Sequence, residues 1–107
     1  MILISKYVLP KGYQGITLYP FIVLKHKDLS GNAVLIHHER IHLKQQLELF
    51  IVLFYIWYGI EFAFRFIQYR NWDLAYRNIS FEREAYACEN QLSYLKERSR
   101  FSFLKYV

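Results

Sequence analysis

The segment from Val34 to Gln46, Val-Leu-Ile-His-His-Glu-Arg-Ile-His-Leu-Lys-Gln-Gln, constrains this chain more than any other, because it contains His38-Glu39-Arg40-Ile41-His42. Ser30-Gly31-Asn32 offers a helix start, and neither Pro nor Gly occurs from Ala33 to Phe50, so a helix is predicted through the motif. On a helix, residues four apart stand one above the other. His38 and His42 therefore share a face and can grip one metal ion. Glu39, one position on from His38, cannot ligate from that face but can take a proton from water held there. Leu35, Ile36, Ile41, Leu43 and Leu47 are the apolar positions expected to bury the helix. His37 points about 100° away and is expected to be a supporting or surface residue. The competing reading is two incidental histidines on an ordinary amphipathic helix.

The 107 residues suit one domain, 1–107, with room for one core. A hydrophobic content of 54%, with 20% aromatics, excludes a disordered chain and demands that apolar surface be covered. Cys88 stands alone, which excludes an internal disulfide and suits a reducing, cytoplasmic setting. A metal site must then come from His and carboxylates. The net charge of +5 is spread out, with no nucleic-acid motif or dense basic stripe, so no nucleic-acid partner is expected. It reads as a solubilising surface, with a membrane surface the more serious partner option.

Taken in order, Met1 to Pro10 is apolar but lacks a basic start and a cleavage site, and is expected to be structural rather than a signal peptide. Pro10-Lys11-Gly12 and Gly15 mark turns before the extended stretch Ile16 to Lys25. Pro20 interrupts that stretch and points to an edge strand, or a pair of short strands, whose free backbone could pair with a peptide. Leu49 to Ile60 holds twelve residues without a charge, short of the roughly 20 a membrane span needs. A long apolar helix buried in the fold is expected, completed by a homodimer or by shallow membrane association through 49–67. Gly59 is the candidate kink in a helical stretch from Ala33 to Arg70, and Glu61 is expected to pair with Arg65. A turn and short helix should occupy Asn71 to Asn78. Ser80 is the expected cap of a helix from Phe81 to Arg98 whose Phe81, Ala85, Cys88, Leu92 and Leu95 face inward. Phe101, Phe103 and Tyr106 of the tail are expected to dock. The fold class is α+β, predominantly α, with the motif helix packed on this later helix.

Zinc held by two histidines needs another protein ligand, and two His with one Glu is a known set. The later helix offers Glu82, Glu84 and Glu89. His38-Glu39-Arg40-Ile41-His42 followed forty residues on by Glu82-Arg83-Glu84-Ala85-Tyr86 resembles the gluzincin metallopeptidases, and the small single-domain minigluzincins in size. The resemblance covers Val34 to Leu95. It implies Zn²⁺ held by His38, His42 and Glu82, with Glu84 the alternative third ligand, and Glu39 as the general base. The family pattern has an Asp that hydrogen-bonds a ligand histidine where this chain has Tyr86, whose phenol can make such a bond. Tyr76, Arg77 and Tyr86 are candidates for stabilising an oxyanion. The activity implied is hydrolysis of peptide or protein substrates by metal-activated water. Two other readings stand beside it: a non-catalytic metal-binding regulatory module on the same scaffold, and a helical membrane-surface protein with incidental histidines.

Overall fold

The β-branched and aromatic stretch after Gly15 folds as a hairpin. The computed structural model describes residues 2–5, 7, 9 and 12–107, so the expected turn at Pro10-Lys11 lies outside the described residues. Three strands form one sheet: β1 (Ile2–Ile4), β2 (Gly15–Leu18) and β3 (Phe21–Leu24). β2 and β3 pair antiparallel, with Gly15 opposite Leu24 and Leu18 opposite Phe21, while β1 runs parallel to β3. The order β1-β3-β2 makes β3 central and β2 an edge. Pro20 stands in neither ladder, because Tyr19 and Pro20, joined by a cis bond, form the tight turn between β2 and β3.

Five helices follow: α1 (Ala33–Glu48), α2 (Val52–Tyr69), α3 (Trp72–Arg77), α4 (Ser80–Cys88) and α5 (Tyr94–Glu97). The fold is α+β and mostly helical. Asn32 caps α1, its side-chain oxygen accepting from the Leu35 N–H at 3.0 Å, and Asn71 caps α3 in the same way through Leu74 at 3.1 Å. The helical stretch from Ala33 does not run on to Gly59. It breaks at Phe50 and Ile51, which take positive φ of 54° and 65°, and α2 leaves α1 at 112°. Gly59 lies inside α2 with open space beside it. The break is held by the Ile51 N–H bonded to the Gln46 carbonyl at 2.7 Å and by Leu49, which turns into the core beside Phe54.

That core gathers Leu49, Phe54, Ile79, Phe81 and Phe103, flanked by Trp57, Tyr58 and Phe62. Phe81 is its hub, with ring centres 4.4 Å from Phe54 and 4.6 Å from Phe103. Of the tail residues expected to dock, Phe103 is fully inside and Tyr106 half-buried, while Phe101 stays exposed. A second cluster, Ile41 with Ala85 and Cys88, packs α1 on α4. Otherwise the buried side of α1 is polar: His37, His38, Glu39, His42, Gln45 and Gln46 all lie inside, whereas Leu47 is exposed and Leu35, Ile36 and Leu43 half-buried. Burying so many polar groups is tolerable only where each finds partners.

Four further expectations are corrected. α2 is not a core helix, because Phe54 and Glu61 alone are buried along it. Glu61 does not pair with Arg65. Its carboxylate accepts from the Ser80 N–H and hydroxyl and from the Trp57 indole N–H, and so satisfies the N-terminus of α4, while Arg65 donates to Gln68. Ser80 is therefore the first residue of α4, not its cap. α4 itself ends at Cys88, ten residues short of Arg98, which leaves Leu92 exposed.

Candidate metal centre

α1 and α4 bring their polar faces together. Glu82 Oε1 lies 3.3 Å from His38 Nε2 and 3.1 Å from His42 Nε2, and the three ligand atoms all fall within 4.8 Å of one another. All three residues are buried. This His-His-Glu group could hold a metal ion.

The other nitrogen of each imidazole is already engaged. His38 Nδ1 is 2.7 Å from Glu89 Oε2, and His42 Nδ1 is 2.8 Å from Gln45 Oε1. The Gln45 amide can sit only one way round, because its Nε2 donates to the Phe81 carbonyl at 3.1 Å and to Glu84 Oε1 at 3.0 Å. Its oxygen must then face His42, and His42 must donate from Nδ1. The Glu89 carboxylate imposes the same tautomer on His38, so both Nε2 lone pairs are left for a cation. The remaining oxygen of Glu82 is held by the Tyr58 hydroxyl at 2.8 Å, which leaves Oε1 as the free donor.

Glu84, the alternative third ligand, is turned elsewhere. Its carboxylate is fully buried and accepts from Gln45, from the Tyr94 hydroxyl at 2.6 Å and from the Arg98 guanidinium. Arg98 also donates to both oxygens of Glu48, at 2.7 and 3.0 Å. Glu84 thus braces Gln45, and through it His42, from behind. Burial works against its charge, but Arg98, Tyr94 and Gln45 outweigh burial and hold its carboxyl below the usual range.

The electrostatics of the donor set follow from burial and proximity. Burial alone would favour neutral Glu82, yet the adjoining His42 and His38 hold its carboxyl well below the ordinary carboxylate value. Burial likewise opposes a charged His42, but the charge and hydrogen bond of Glu82, with Glu39 and Gln45 adding to them, raise its pKa to about 9. Without a cation the pair is an imidazolium and a carboxylate, so a bound cation replaces that proton.

Glu39 is buried beside the donor set, with Thr17 of β2 as its partner. The Thr17 hydroxyl lies 2.7 Å from Glu39 Oε1 and 2.9 Å from the Glu39 carbonyl. Gly15 adjoins the other oxygen, and a Cβ there would be in ordinary contact with Glu39 Oε2, at 3.5 Å. Glu39, His42 and Glu82 open onto a cavity of about 360 Å³ walled largely by aromatic and apolar groups, among them Tyr13, Phe54, Tyr58, Phe62, Trp72 and Tyr76.

The three oxyanion candidates part company. Tyr76 lines the cavity. Tyr86 stands edge-on to Tyr76 and meets the His38 ring edge-on at 4.6 Å, and it is the Glu89 carboxylate, three residues on, that accepts from His38 Nδ1. Arg77 lies over the Tyr86 ring at 5.0 Å and pairs with Asp73, outside the cavity wall. His37 is no ligand; its Nδ1 meets the Glu89 carbonyl at 3.0 Å. The sequence assigns no role to Thr17, Gln45 or Tyr58, and offers Glu89 as a possible third ligand where the structure has it as the partner of His38 Nδ1. Only Gln45 carried a usable signal, standing three residues after His42 on the same helix.

The chain matches no protein-family model, no curated protein and no solved structure with which it was compared.

Proposed function

We propose that this protein is a zinc-dependent, peptidase-like hydrolase. The observation that carries the reading is the juxtaposition of a buried two-histidine, one-carboxylate donor set with a second carboxylate, Glu39, on the wall of one cavity. Two ligands each about 2.1 Å from a tetrahedral zinc stand roughly 3.4 Å apart. The His38–Glu82 and His42–Glu82 separations of 3.3 and 3.1 Å suit that spacing. His38, His42 and Glu82 would hold the ion, which when bound lowers the pKa of water towards about 7 and polarises a carbonyl.

The remaining roles belong to the chain's own groups. Glu39 accepts the water proton and returns it to the leaving amine, so the proton moves from water to product and the C–N bond gives way to C–O. Thr17 fixes the rotamer of Glu39 by holding Oε1, leaving Oε2 for that exchange. Burial keeps the Tyr76 phenol protonated far above its ordinary range, with the Glu82 charge adding to the effect, and because Tyr76 lines the cavity its hydroxyl would be the donor to turn towards an oxyanion formed there. The aromatic walls suit a bulky apolar side chain beside the scissile bond.

Incubation with a casein or mixed-peptide pool, with and without a chelator, tests the reading. Cleavage that a chelator abolishes and added zinc restores is the expected result. A protein that holds zinc but cleaves nothing in the pool is the regulatory module instead, and chelator-insensitive cleavage refutes the zinc mechanism.

A further inference from the structure

We propose that the outward face of α2 is a docking surface for an anionic lipid bilayer, with the helix lying along the membrane plane. The helix turns Val52, Leu53, Ile56, Ile60, Phe64 and Ile67 to solvent, with exposures from 52% to 74%. At about 100° per residue these six cover about a third of the circumference, and Tyr55 and Phe66, also exposed, widen the apolar arc to about half. No charged side chain falls among them. Both charges of α2 leave this face, since Glu61 is buried against Ser80 and the half-buried Arg65 donates to Gln68. An ordinary surface helix shows the reverse pattern, apolar inward and charged outward.

The width of the face selects its occupant. A two-helix pair covers only a narrow seam of a and d positions and would leave the flanks of a half-circumference face wet. A bilayer covers all of it. The eighteen residues of α2 extend about 27 Å, and no single helix among the described residues is long and apolar enough to cross a membrane. Lying on the bilayer fits both facts, and the 112° bend carries α1 and its buried polar groups away from the line of α2. Leu49, Leu53, Ile56, Trp57, Ile60 and Phe64 frame a groove of about 500 Å³ on this face, with Glu61, its carboxylate engaged by Ser80 and Trp57, as its one charged lining residue; acyl chains can fill it. Exposed Phe50 precedes one end of α2, and exposed Arg70 and Trp72 follow the other, where a basic and an aromatic side chain suit the headgroup layer.

Charge points the same way. Every acidic group from α1 to α3 is occupied: Glu39 by Thr17, Glu48 by Arg98, Glu61 by Ser80 and Asp73 by Arg77. Arg40, Lys44 and Arg70 are exposed and have no ion pair among the described residues, and the chain carries a net +5. The surplus suits anionic headgroups.

Co-sedimentation of the full chain with phosphatidylglycerol–phosphatidylcholine vesicles tests this, beside a double variant, Ile60→Gln with Phe64→Gln, that leaves the net charge unaltered. Both positions are exposed, so the double variant should keep the wild-type circular dichroism spectrum. The expected result is wild-type binding that weakens at least about tenfold in the variant, and that also weakens on vesicles of phosphatidylcholine alone. Wild-type protein that stays in the supernatant overturns the proposal, as does a double variant that binds equally well. Light scattering showing a vesicle-free dimer that the double variant dissociates, with no vesicle binding, assigns the face to a second copy and also overturns it.

Discussion

Replacing Glu89 should loosen the metal without touching any ligand. Its Oε2 sits 2.7 Å from His38 Nδ1 and holds the imidazole in the tautomer that frees Nε2. Glu89→Gln keeps an oxygen acceptor but removes its charge. Hydrogen bonds to charged partners contribute about 1.5–3 kcal/mol against about 0.5–1.5 for neutral ones, so the loss is about 1–1.5 kcal/mol before screening. The Glu89 side chain is 23% exposed, and water trims the difference to about 1 kcal/mol, roughly fivefold in affinity. Glu89→Ala removes the acceptor as well and should cost about 10–100-fold. Tyr86→Phe is the control, because what Tyr86 gives His38 is a ring contact, which phenylalanine keeps. Competition for zinc against a chromophoric chelator at fixed pH reads all three. An affinity that survives Glu89→Ala, or that falls further in Tyr86→Phe, would refute this account of how His38 is held.

Glu39→Gln should keep full metal content while hydrolysis falls by about 10²–10⁴-fold, the usual contribution of a positioned base, as read by elemental analysis beside a peptide assay. Glu84→Gln removes one of the two carboxylates paired with the Arg98 guanidinium, whose side chain is 3% exposed, while Glu48 keeps the other pairing; urea unfolding should show a loss of about 1.5–3 kcal/mol, the usual contribution of hydrogen bonds to a charged group. The folded-state pKa of Glu84 is depressed, so its contribution is complete above the ordinary carboxylate value of 4.5 and is lost as pH falls through the folded value. Thermal melts of chelator-treated protein should therefore decline on the acid side, and less steeply in Glu84→Gln. Phe103→Ala, which empties the core around Phe81, should lose about 3–5 kcal/mol in the same urea titration.

What could be read from the sequence was local. A four-residue spacing aligns His38 with His42 on any helix, and Asn32 supplies a cap whatever surrounds it. Pro20 announces an interruption, and of the two arrangements it allows, an edge strand or a pair of short strands, the pair forms, with Tyr19 and Pro20 as the turn between them. The choice between Glu82 and Glu84 was different in kind. The two point about 200° apart on α4, and which one meets the histidines depends on how that helix docks. Arg98, fourteen residues beyond Glu84, takes that carboxylate from α4's other side, a contact no local pattern encodes. The end of α4 was hidden for a similar reason. No Pro or Gly follows Cys88, yet the chain turns there so that Glu89 can serve His38 with its side chain and His37 with its carbonyl. The break at Phe50 and Ile51 lacks even a glycine to mark the left-handed backbone. Composition made α2 look like a core helix, but so short a chain has too few neighbours to cover it on every side.

The central claim is that α1 and α4 enclose one cation, and elemental analysis of the purified wild type beside His38→Ala, Glu82→Ala and Glu84→Gln tests it most directly. The account predicts about one zinc per chain in the wild type, as for a mononuclear site, a stoichiometry kept in Glu84→Gln and lost in the other two, with the wild-type circular dichroism spectrum retained throughout. A folded wild type that takes up no zinc, or a Glu82→Ala protein that still holds a full equivalent, would contradict it.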